Sequence, residues 1–301
     1  MMTTAYVFPG QGSQFVGMGL EQSQHRPIVR GVFARADSTL GFPLSQLCWY
    51  GPEAELSDTL NTQPAIFTHS MAAYEMVKLS GEIEAPAFVA GHSLGELSAL
   101  CAAGALTFED GVKLARERGR LMKEAGERAP GSMAAIIGLD ADALRMACEE
   151  ASSQHTPGVV IANDNSPGQI VISGGKDAVA AASAIAKVKG ARRALPLNVS
   201  IASHSPLMAD VADDFARVVE RTPIAPAIVP VVANTSARPI THPDDIRAEL
   251  AAQLTSPVRW VDSVRFMHAQ GVTHFVELGP KDVLCGLIKR IIEGAQTRAI
   301  G

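Results

Sequence analysis

A serine between two glycines stands where an apolar strand-like run turns into a helical pattern, in the stretch Gly-His-Ser-Leu-Gly over residues 91–95. In a nucleophile elbow of this kind, the sharp bend lifts the serine oxygen clear of the sheet at a helix N-terminus. Backbone N–H groups there can stabilise an oxyanion. The spacing predicts covalent acyl chemistry at Ser93. The alternative explanation is a glycine-rich turn that happens to hold a serine.

A serine nucleophile needs a base within hydrogen-bond reach, and the chain has eight histidines. His204 differs from the others because it follows the small and apolar residues 199–203 and precedes Ser-Pro, which begins a helix. Active sites of α/β proteins lie beyond the carboxyl ends of strands, so His204 can face the same cleft as Ser93. On position alone, a base and an ordinary loop histidine explain His204 equally well. His92 is predicted to point away from the nucleophile.

An arginine lies on the apolar face of the helix predicted over residues 107–125. Spacings of three and four residues place Arg118 on the same helix face as Leu114, Leu121 and Met122. An unpaired buried cation costs several kcal/mol, so Arg118 requires an anion. Periodicity alone favours a carboxylate of the protein over one of a ligand and leaves both open. The planar guanidinium suits bidentate binding of a carboxylate.

Length and composition exclude several classes of function. The 301 residues are 47% hydrophobic, which is ample for a large core. No stretch is apolar and long enough to span a membrane, and the N-terminus lacks a signal-peptide pattern, so we expect a soluble cytoplasmic protein. A net charge of -5 and only 5% aromatic residues argue against nucleic-acid binding. The four cysteines form no Cys-x-x-Cys pair, which predicts reduced thiols and no metal site.

Strand-like runs alternate with helical periods along the chain, a pattern typical of helices packed on a mainly parallel sheet. The pattern predicts a helix over residues 63–80 with Thr62 as its N-cap. After the helix that follows the elbow, a capping box at Thr107 is predicted to begin a helix that runs to about residue 125. A strand over residues 273–278 and a helix near 281–293 are predicted to close this large domain.

The element order changes to βαββαβ between about residues 132 and 197, which is the order of a ferredoxin-like unit. The sequence therefore predicts an α/β protein with a large α/β-hydrolase-like domain and a parallel sheet, formed by residues 1–127 and 198–301. An inserted, smaller ferredoxin-like βαββαβ subdomain is predicted over residues 128–197.

Six short motifs follow one another along the chain: Phe-Pro-Gly-Gln-Gly-Ser-Gln over 8–14, Gly-His-Ser-Leu-Gly-Glu over 91–96, Arg118-Gly119, Asn-Ser-Pro-Gly-Gln over 165–169, Ser203-His204, and Gln-Leu-x-x-Pro-Val-x-Trp over 253–260. Each is weak alone, but the ordered set is specific. In this order the chain resembles the malonyl-CoA:acyl carrier protein transacylases, and the resemblance covers essentially its whole length.

The resemblance implies a ping-pong acyl transfer that supplies malonyl-loaded acyl carrier protein for fatty acid biosynthesis. Ser93, deprotonated by His204, would attack the thioester of malonyl-CoA, and a phosphopantetheine thiol on acyl carrier protein would then take the malonyl group. The resemblance further implies that the backbone N–H groups of Gln11 and Leu94 form the oxyanion hole. It also implies that the backbone carbonyl of Gln253 orients His204.

The resemblance also assigns the contacts to substrate. Arg118 would hold the free carboxylate of the malonyl group, Met122 and Gln11 would line the acyl pocket, and Asn165 would contact the substrate arm. No metal or cofactor is implied, because malonyl-CoA is a substrate. The implied partners are acyl carrier protein and a coenzyme A thioester, and the chain is expected to be a monomer.

Acyl carrier proteins are usually acidic, so a basic docking patch is expected. Lys187, Lys189, Arg192 and Arg193 cluster where the second helix of the predicted insertion ends and the next strand begins. They are the docking candidates. For any single one of them, a solvated surface charge without a partner is an equally good explanation.

Other functions share parts of this pattern. A discrete polyketide-pathway acyltransferase, or the malonyltransferase subunit of a malonate decarboxylase, would use the same site residues. The stretch Ile-Ala-Ser-His over 201–204 shares its last three residues with the Tyr-Ala-Ser-His of methylmalonyl-specific polyketide acyltransferases. Fatty-acid transacylases also carry serine before this histidine, so malonyl is the predicted acyl group. A serine thioesterase or esterase needs an acid between Ser93 and His204 in chain order and has no use for Arg118.

Overall fold

The computed structural model describes residues 3–199 and 201–301. The strands are β1 (Thr3–Phe8), β2 (Phe88–Gly91), β3 (Gly131–Ile137), β4 (Val159–Ser166), β5 (Gln169–Gly175), β6 (Arg193–Pro196), β7 (Val231–Val232), β8 (Pro239–Ile240), β9 (Val272–Leu278) and β10 (Gln296–Ile300). The helices are α1 (Leu20–His25), α2 (Pro27–Leu40), α3 (Leu44–Tyr50), α4 (Glu53–Leu56), α5 (Thr59–Ser80), α6 (Gly95–Ala102), α7 (Phe108–Arg128), α8 (Ala141–Ser152), α9 (Lys176–Val188), α10 (Ala209–Arg221), α11 (Pro243–Gln253), α12 (Trp260–Ala269) and α13 (Val283–Ile291), with a 3₁₀ turn over Pro206–Met208.

The first sheet has six strands in the order β10-β9-β1-β2-β7-β8. All neighbouring strands run parallel except β7 and β8. Successive residues of β1 point to opposite faces: Tyr6 and Phe8 join the core with α5, α6 and α7, while Ala5 and Val7 join the core with α12 and α13. Both faces are therefore covered, as parallel sheets require.

The second sheet has four antiparallel strands in the order β4-β5-β3-β6. Helices α8 and α9 pack on one of its faces around a separate core that includes Leu144, Ile172 and Val179. Its edge strand β4 is joined to the rest of the molecule through Val258, which donates to the carbonyl of Ala162 and accepts from the N–H of Asp164. A mixed α/β protein with a parallel sheet is confirmed, and a separate antiparallel sheet accompanies it.

Helix starts test the capping predictions directly. The Thr107 side chain accepts the N–H of Asp110 at the start of α7, which confirms that cap. The prediction of Thr62 as the cap of α5 is wrong, because Asp58 caps that helix and Thr62 lies buried inside it. The chain continues beyond the predicted last helix into β10, which pairs with β9 at the sheet edge. No helix in residues 3–199 or 201–301 is long and apolar enough to cross a membrane.

Candidate active site

The turn from β2 into α6 holds Ser93 in the left-handed region, with φ 52°. A Cβ at Gly91 would lie 1.9 Å from the carbonyl carbon of Gly95, and a Cβ at Gly95 would lie 2.1 Å from the Phe8 oxygen. The two glycines are thus required because backbone segments approach each other closely around the serine. The strained conformation of a non-glycine residue at this point is typical of a functional site.

His204 lies beside the serine and also has a positive φ, 57°. Its Nε2 is 2.8 Å from Ser93 Oγ, and its Nδ1 is 2.9 Å from the carbonyl oxygen of Gln253 and 3.1 Å from that of Ser256. Carbonyl oxygens only accept, so Nδ1 carries the hydrogen and Nε2 presents its lone pair to the serine hydroxyl. The arrangement is a serine–histidine pair oriented by backbone carbonyls.

The charge state of His204 follows from its surroundings. Burial lowers the pKa of His204 to about 3, and the nearby charge of Arg118 acts in the same direction, while the hydrogen bonds to Gln253 and Ser256 oppose them. The imidazole is therefore neutral at neutral pH, which is the protonation state that a general base requires.

Arg118 is almost completely buried, with 1% of its surface exposed. Its Nη2 lies 2.8 Å from Gln253 Oε1 and 3.1 Å from Ser93 Oγ, and its Nη1 lies 2.9 Å from Gln63 Oε1 and 3.2 Å from Met122 Sδ. Burial lowers its pKa to about 10, so the guanidinium stays charged at neutral pH. All of these acceptors are neutral, and Arg118 takes part in none of the ion pairs found in the described residues.

A pocket of about 290 Å³ joins these groups. The predicted site residues that line it are Gln11, Ser93, Leu94, Arg118, Met122, Asn165 and His204. Gln253 lies behind it and contacts Arg118 and His204. A wider groove of about 710 Å³ reaches His204 from another side and includes neither the serine nor the arginine. The smaller pocket is therefore the one in which Ser93, His204 and Arg118 meet.

Two backbone N–H groups at this pocket belong to residues predicted to form an oxyanion hole. Leu94 immediately precedes α6, and Gln11 lies in the turn after β1. Within the described ranges, neither N–H donates to a backbone or side-chain acceptor. The Gln11 side chain donates instead to Thr59 Oγ1, at 3.1 Å.

Asn165 projects into the pocket from strand β4 of the second sheet. Its Oδ1 lies 2.7 Å from Nε2 of His92, and the His92 ring packs against Trp260. His92 thus points away from Ser93 Oγ toward Asn165, as the sequence predicts. The contact joins the elbow to the second sheet at the rim of the pocket.

Three further polar residues contact the site, and sequence reasoning gave them no role. Gln63 Oε1 accepts a hydrogen bond from Nη1 of Arg118. Behind the elbow, Asn234 donates hydrogen bonds to the carboxylate of Glu96. Glu96 is the last residue of the second of the six motifs, so the sequence did contain a signal that could have identified it. Gln63 lies inside a helix and Asn234 follows a two-residue strand, so no periodicity distinguishes either.

The four basic docking candidates lie outside the pocket. Lys187, Lys189, Arg192 and Arg193 are exposed at the end of α9 and the beginning of β6. Lys189 Nζ is 3.8 Å from a carboxylate oxygen of Glu150. The segment after β6 continues to residues 197 and 199, which line the pocket.

Comparisons of the sequence and of the fold with known proteins agree on one family. A family model described as the acyl transferase domain matches residues 5–299. The malonyl CoA-acyl carrier protein transacylase of Escherichia coli (strain K12) is 47% identical over 300 residues, which cover 100% of this chain and 96% of that protein. An acyl carrier protein S-malonyltransferase from Vibrio cholerae O1 biovar eltor is 43% identical with a TM-score of 0.95, and the match covers 99% of this chain and 97% of that one. A malonyl-transacylase solved in complex with its type II PKS acyl-carrier protein is 43% identical with a TM-score of 0.94, over 99% and 95% of the two chains.

Proposed function

The chain belongs to the acyl transferase domain family, and on that premise we propose that it transfers the malonyl group of malonyl-CoA to the phosphopantetheine thiol of acyl carrier protein. The observation that carries the proposal is the position of Arg118, whose Nη2 lies 3.1 Å from the nucleophile Ser93 Oγ. A dicarboxylic acyl group on Ser93 would place its free carboxylate against this guanidinium. An esterase for neutral acyl groups gains nothing from a buried cation there.

The first half-reaction forms a malonyl ester on Ser93. His204 Nε2 takes the hydroxyl proton as Oγ attacks the thioester carbonyl, the C–S bond breaks, and coenzyme A leaves as the thiol with the proton from His204. In the second half-reaction His204 takes the proton of the carrier thiol. The thiolate then attacks the ester carbonyl, and the proton returns to Ser93 Oγ as the C–O bond breaks.

The oxyanion of both tetrahedral intermediates would be held by the backbone N–H groups of Leu94 and Gln11. Their lack of other acceptors in the described chain supports this role. Each donor of this kind contributes roughly 2.7–4 kcal/mol of transition-state stabilisation. The carbonyl of Gln253 fixes the His204 tautomer, which is the task a carboxylate performs in a triad.

Arg118 would bind the malonyl carboxylate and so select a dicarboxylic acyl group. Met122 accepts from Arg118 and would line the acyl pocket with Gln11, while Asn165 would contact the pantetheine arm at the rim. No cofactor is proposed to take part, because the chain itself supplies nucleophile, base and oxyanion donors.

Two proposals concern the whole molecule. We propose that residues 128–197 form an inserted ferredoxin-like subdomain and that residues 1–127 and 198–301 form an α/β-hydrolase-like domain. The strand order β4-β5-β3-β6 and the chain path, which enters after α7 and leaves after β6, support the division. We also propose a cytoplasmic location, which the four free thiols at Cys48, Cys101, Cys148 and Cys285 support.

Intact-protein mass spectrometry after brief exposure to malonyl-CoA tests the proposal. We expect one malonyl adduct on the native chain, no adduct on Ser93→Ala, and loss of the adduct when holo acyl carrier protein is added. Free malonate that accumulates as fast as the carrier is loaded would indicate a thioesterase instead. Parallel loading of a fatty-acid carrier and a type II polyketide carrier identifies the acceptor, since one similar protein forms a complex with the latter kind.

A further inference from the structure

A buried carboxylate lies directly behind the elbow, and its hydrogen-bond partners among the described residues are all donors. Glu96, in the first turn of α6, is 1% exposed. Its Oε1 accepts the backbone N–H of Asn234 at 2.9 Å and the side-chain Nδ2 of Asn234 at 3.0 Å. Its Oε2 accepts from Nε2 of Gln253. An ionised carboxylate only accepts, so it satisfies all three donors.

The Gln253 amide lies between two groups of opposite character. On one side, Arg118 points Nε and Nη2 at Gln253 Oε1, at 3.1 and 2.8 Å. On the other side, Nε2 of the amide faces Glu96 and also donates to the carbonyl of Ser93 at 3.1 Å. Because a guanidinium has only donors and a carboxylate only acceptors, this amide has one orientation that satisfies both neighbours.

We propose that Glu96 is a positioning residue for acyl transfer: its carboxylate fixes the orientation of the Gln253 amide, which in turn directs the guanidinium of Arg118 at the acyl group on Ser93. The inference rests on the proposed function, because it assumes that Arg118 binds the acyl carboxylate. It adds a group that touches no substrate and acts through Gln253.

The same carboxylate also stabilises the strained backbone of the nucleophile. The N–H of Ser93 donates to Oδ1 of Asn234 at 2.7 Å, and Nδ2 of Asn234 donates to the carbonyl of Gly91 and to Glu96. Asn234 thus holds the N–H of the serine and Gln253 holds its carbonyl. Both amides bind Glu96, so the two peptide groups that flank the nucleophile depend on one side chain.

The charge of Glu96 has a second consequence. Burial and then the neighbouring carboxylate of Glu249 raise the pKa of Glu96 well above its usual value, and the donors from Asn234 and Gln253 oppose the rise. Because the three hydrogen-bond partners of Glu96 are all donors, the geometry favours the carboxylate form. In that form Glu96 favours the charged state of Arg118 from behind one amide, which leaves the guanidinium able to bind a second anion directly.

Replacement of Glu96 by glutamine separates these roles from packing. In Glu96→Gln, one oxygen can still accept from Asn234, but the new amide nitrogen faces Gln253. Gln253 must then rotate to offer its oxygen, and its nitrogen turns toward the donors of Arg118. We expect the ratio of malonyl to acetyl loading, each measured as kcat/KM with the CoA thioester, to fall about tenfold or more. Glu96→Asp keeps the acceptor character and should keep a ratio near that of the native chain.

A neighbouring glutamate provides the matched control. Glu249 is also buried, and its carboxylate accepts from the N–H and hydroxyl of Thr235, with no hydrogen bond to the side chain of Gln253. Glu249→Gln makes the same isosteric change and removes a charge that opposes the ionisation of Glu96, so it should not lower the malonyl-to-acetyl ratio, whatever its effect on melting temperature. If Glu96→Gln lowers kcat/KM for malonyl-CoA and acetyl-CoA equally, or leaves their ratio as Glu249→Gln does, the positioning role is refuted.

A double exchange keeps the test decisive if Glu96→Gln does not fold. In Glu96→Gln/Gln253→Glu the new carboxylate accepts from the new amide and pairs directly with Arg118, so the donors of Arg118 and of residue 96 are again satisfied, although the carbonyl of Ser93 loses the donor that Gln253 supplied. We expect a folded protein with a low malonyl-to-acetyl ratio, and a native ratio would overturn the proposal. The native chain, assayed alongside, tests the underlying function: if it forms no malonyl adduct, the proposed function fails independently of Glu96.

Discussion

Replacement of Arg118 by methionine isolates the charge from the space that the side chain fills. Methionine is unbranched and apolar, so the helix face keeps most of its packing. The guanidinium has no carboxylate partner within salt-bridge distance in the described residues, and its contacts are the amides of Gln63 and Gln253, Met122 and the Ser93 hydroxyl. The acyl carboxylate would be its only directly bonded anion.

The size of the effect follows from this environment. Removal of one partner from a buried charge pair costs about 3–5 kcal/mol. At 1.36 kcal/mol for each factor of ten, kcat/KM for malonyl-CoA should fall by roughly 150- to 5000-fold. Acetyl-CoA brings no charge to the site, so its kcat/KM should change by less than about tenfold, the range of a volume-conserving replacement.

The assay is quench-flow loading followed by intact-protein mass spectrometry, with malonyl-CoA and acetyl-CoA measured on the same preparation. Arg120→Met is the control, because Arg120 lies on the exposed face of the same helix and pairs with Glu117 and Glu124. Exposed pairs of this kind contribute at most about 1 kcal/mol. Equal losses for malonyl and acetyl in Arg118→Met would refute the carboxylate-binding role and leave Arg118 as a structural cation.

The base, the docking surface and the elbow can each be tested by substitution. As the proposed base, His204 must be neutral to act. Its pKa is lowered by burial and then by Arg118, so Arg118→Met should raise that pKa and move the acid limb of acetyl loading to higher pH, which kcat/KM measured against pH would show. Charge reversal of Lys189 and Arg193 should raise KM for acyl carrier protein several-fold and leave loading from malonyl-CoA unchanged. Steady-state kinetics with the carrier varied, and then with malonyl-CoA varied, would show this. Gly95→Ala should lower the melting temperature and abolish loading, since its Cβ would meet a backbone oxygen at 2.1 Å.

Controls on the same chain sharpen two of these tests. Gly31→Ala introduces the same methyl group inside helix α2, where, among the described residues, a Cβ would meet no atom within 4 Å other than its chain neighbours and the nearby helix backbone. This variant should keep both stability and loading. Lys289→Glu reverses an exposed charge on α13, away from the docking candidates, and should not change KM for the carrier. A docking role is contradicted if Lys289→Glu and the double reversal behave alike.

The fold was predictable to the extent that local patterns decide it. The apolar run of β1, the strand before Ser93 and the cap at Thr107 are all local signals, and the structure agrees with each of them. The N-cap of α5 was missed because Thr62 and Asp58 are both good caps in isolation. The choice depends on burial: Thr62 donates to the carbonyl of Leu56 and lies in the core, whereas Asp58 stays partly exposed.

The site was predictable only where one residue type implies one kind of chemistry. Ser93 and its two glycines form a local motif, and the burial of Arg118 follows from helical periodicity. The identity of the partners of Arg118 does not follow from periodicity, because Gln63 and Gln253 lie 55 and 135 residues away along the chain and an amide side chain gives no periodic signal. Periodicity alone therefore favoured a direct ion pair, and only the tertiary structure shows neutral oxygens around the guanidinium.

The charges around the nucleophile link acyl selection to the strength of the base. Arg118 is the second cause, after burial, that lowers the pKa of His204, and Glu96 compensates its charge only through an intervening amide. A carboxylate bound at the guanidinium would offset this cation at close range, so the proton affinity of His204 would rise when a malonyl group occupies the site. An acetyl group brings no such close anion, so the imidazole stays the weaker base. The bound malonyl group would therefore strengthen the base that must deprotonate the carrier thiol, and this gain is independent of how tightly the CoA thioester binds.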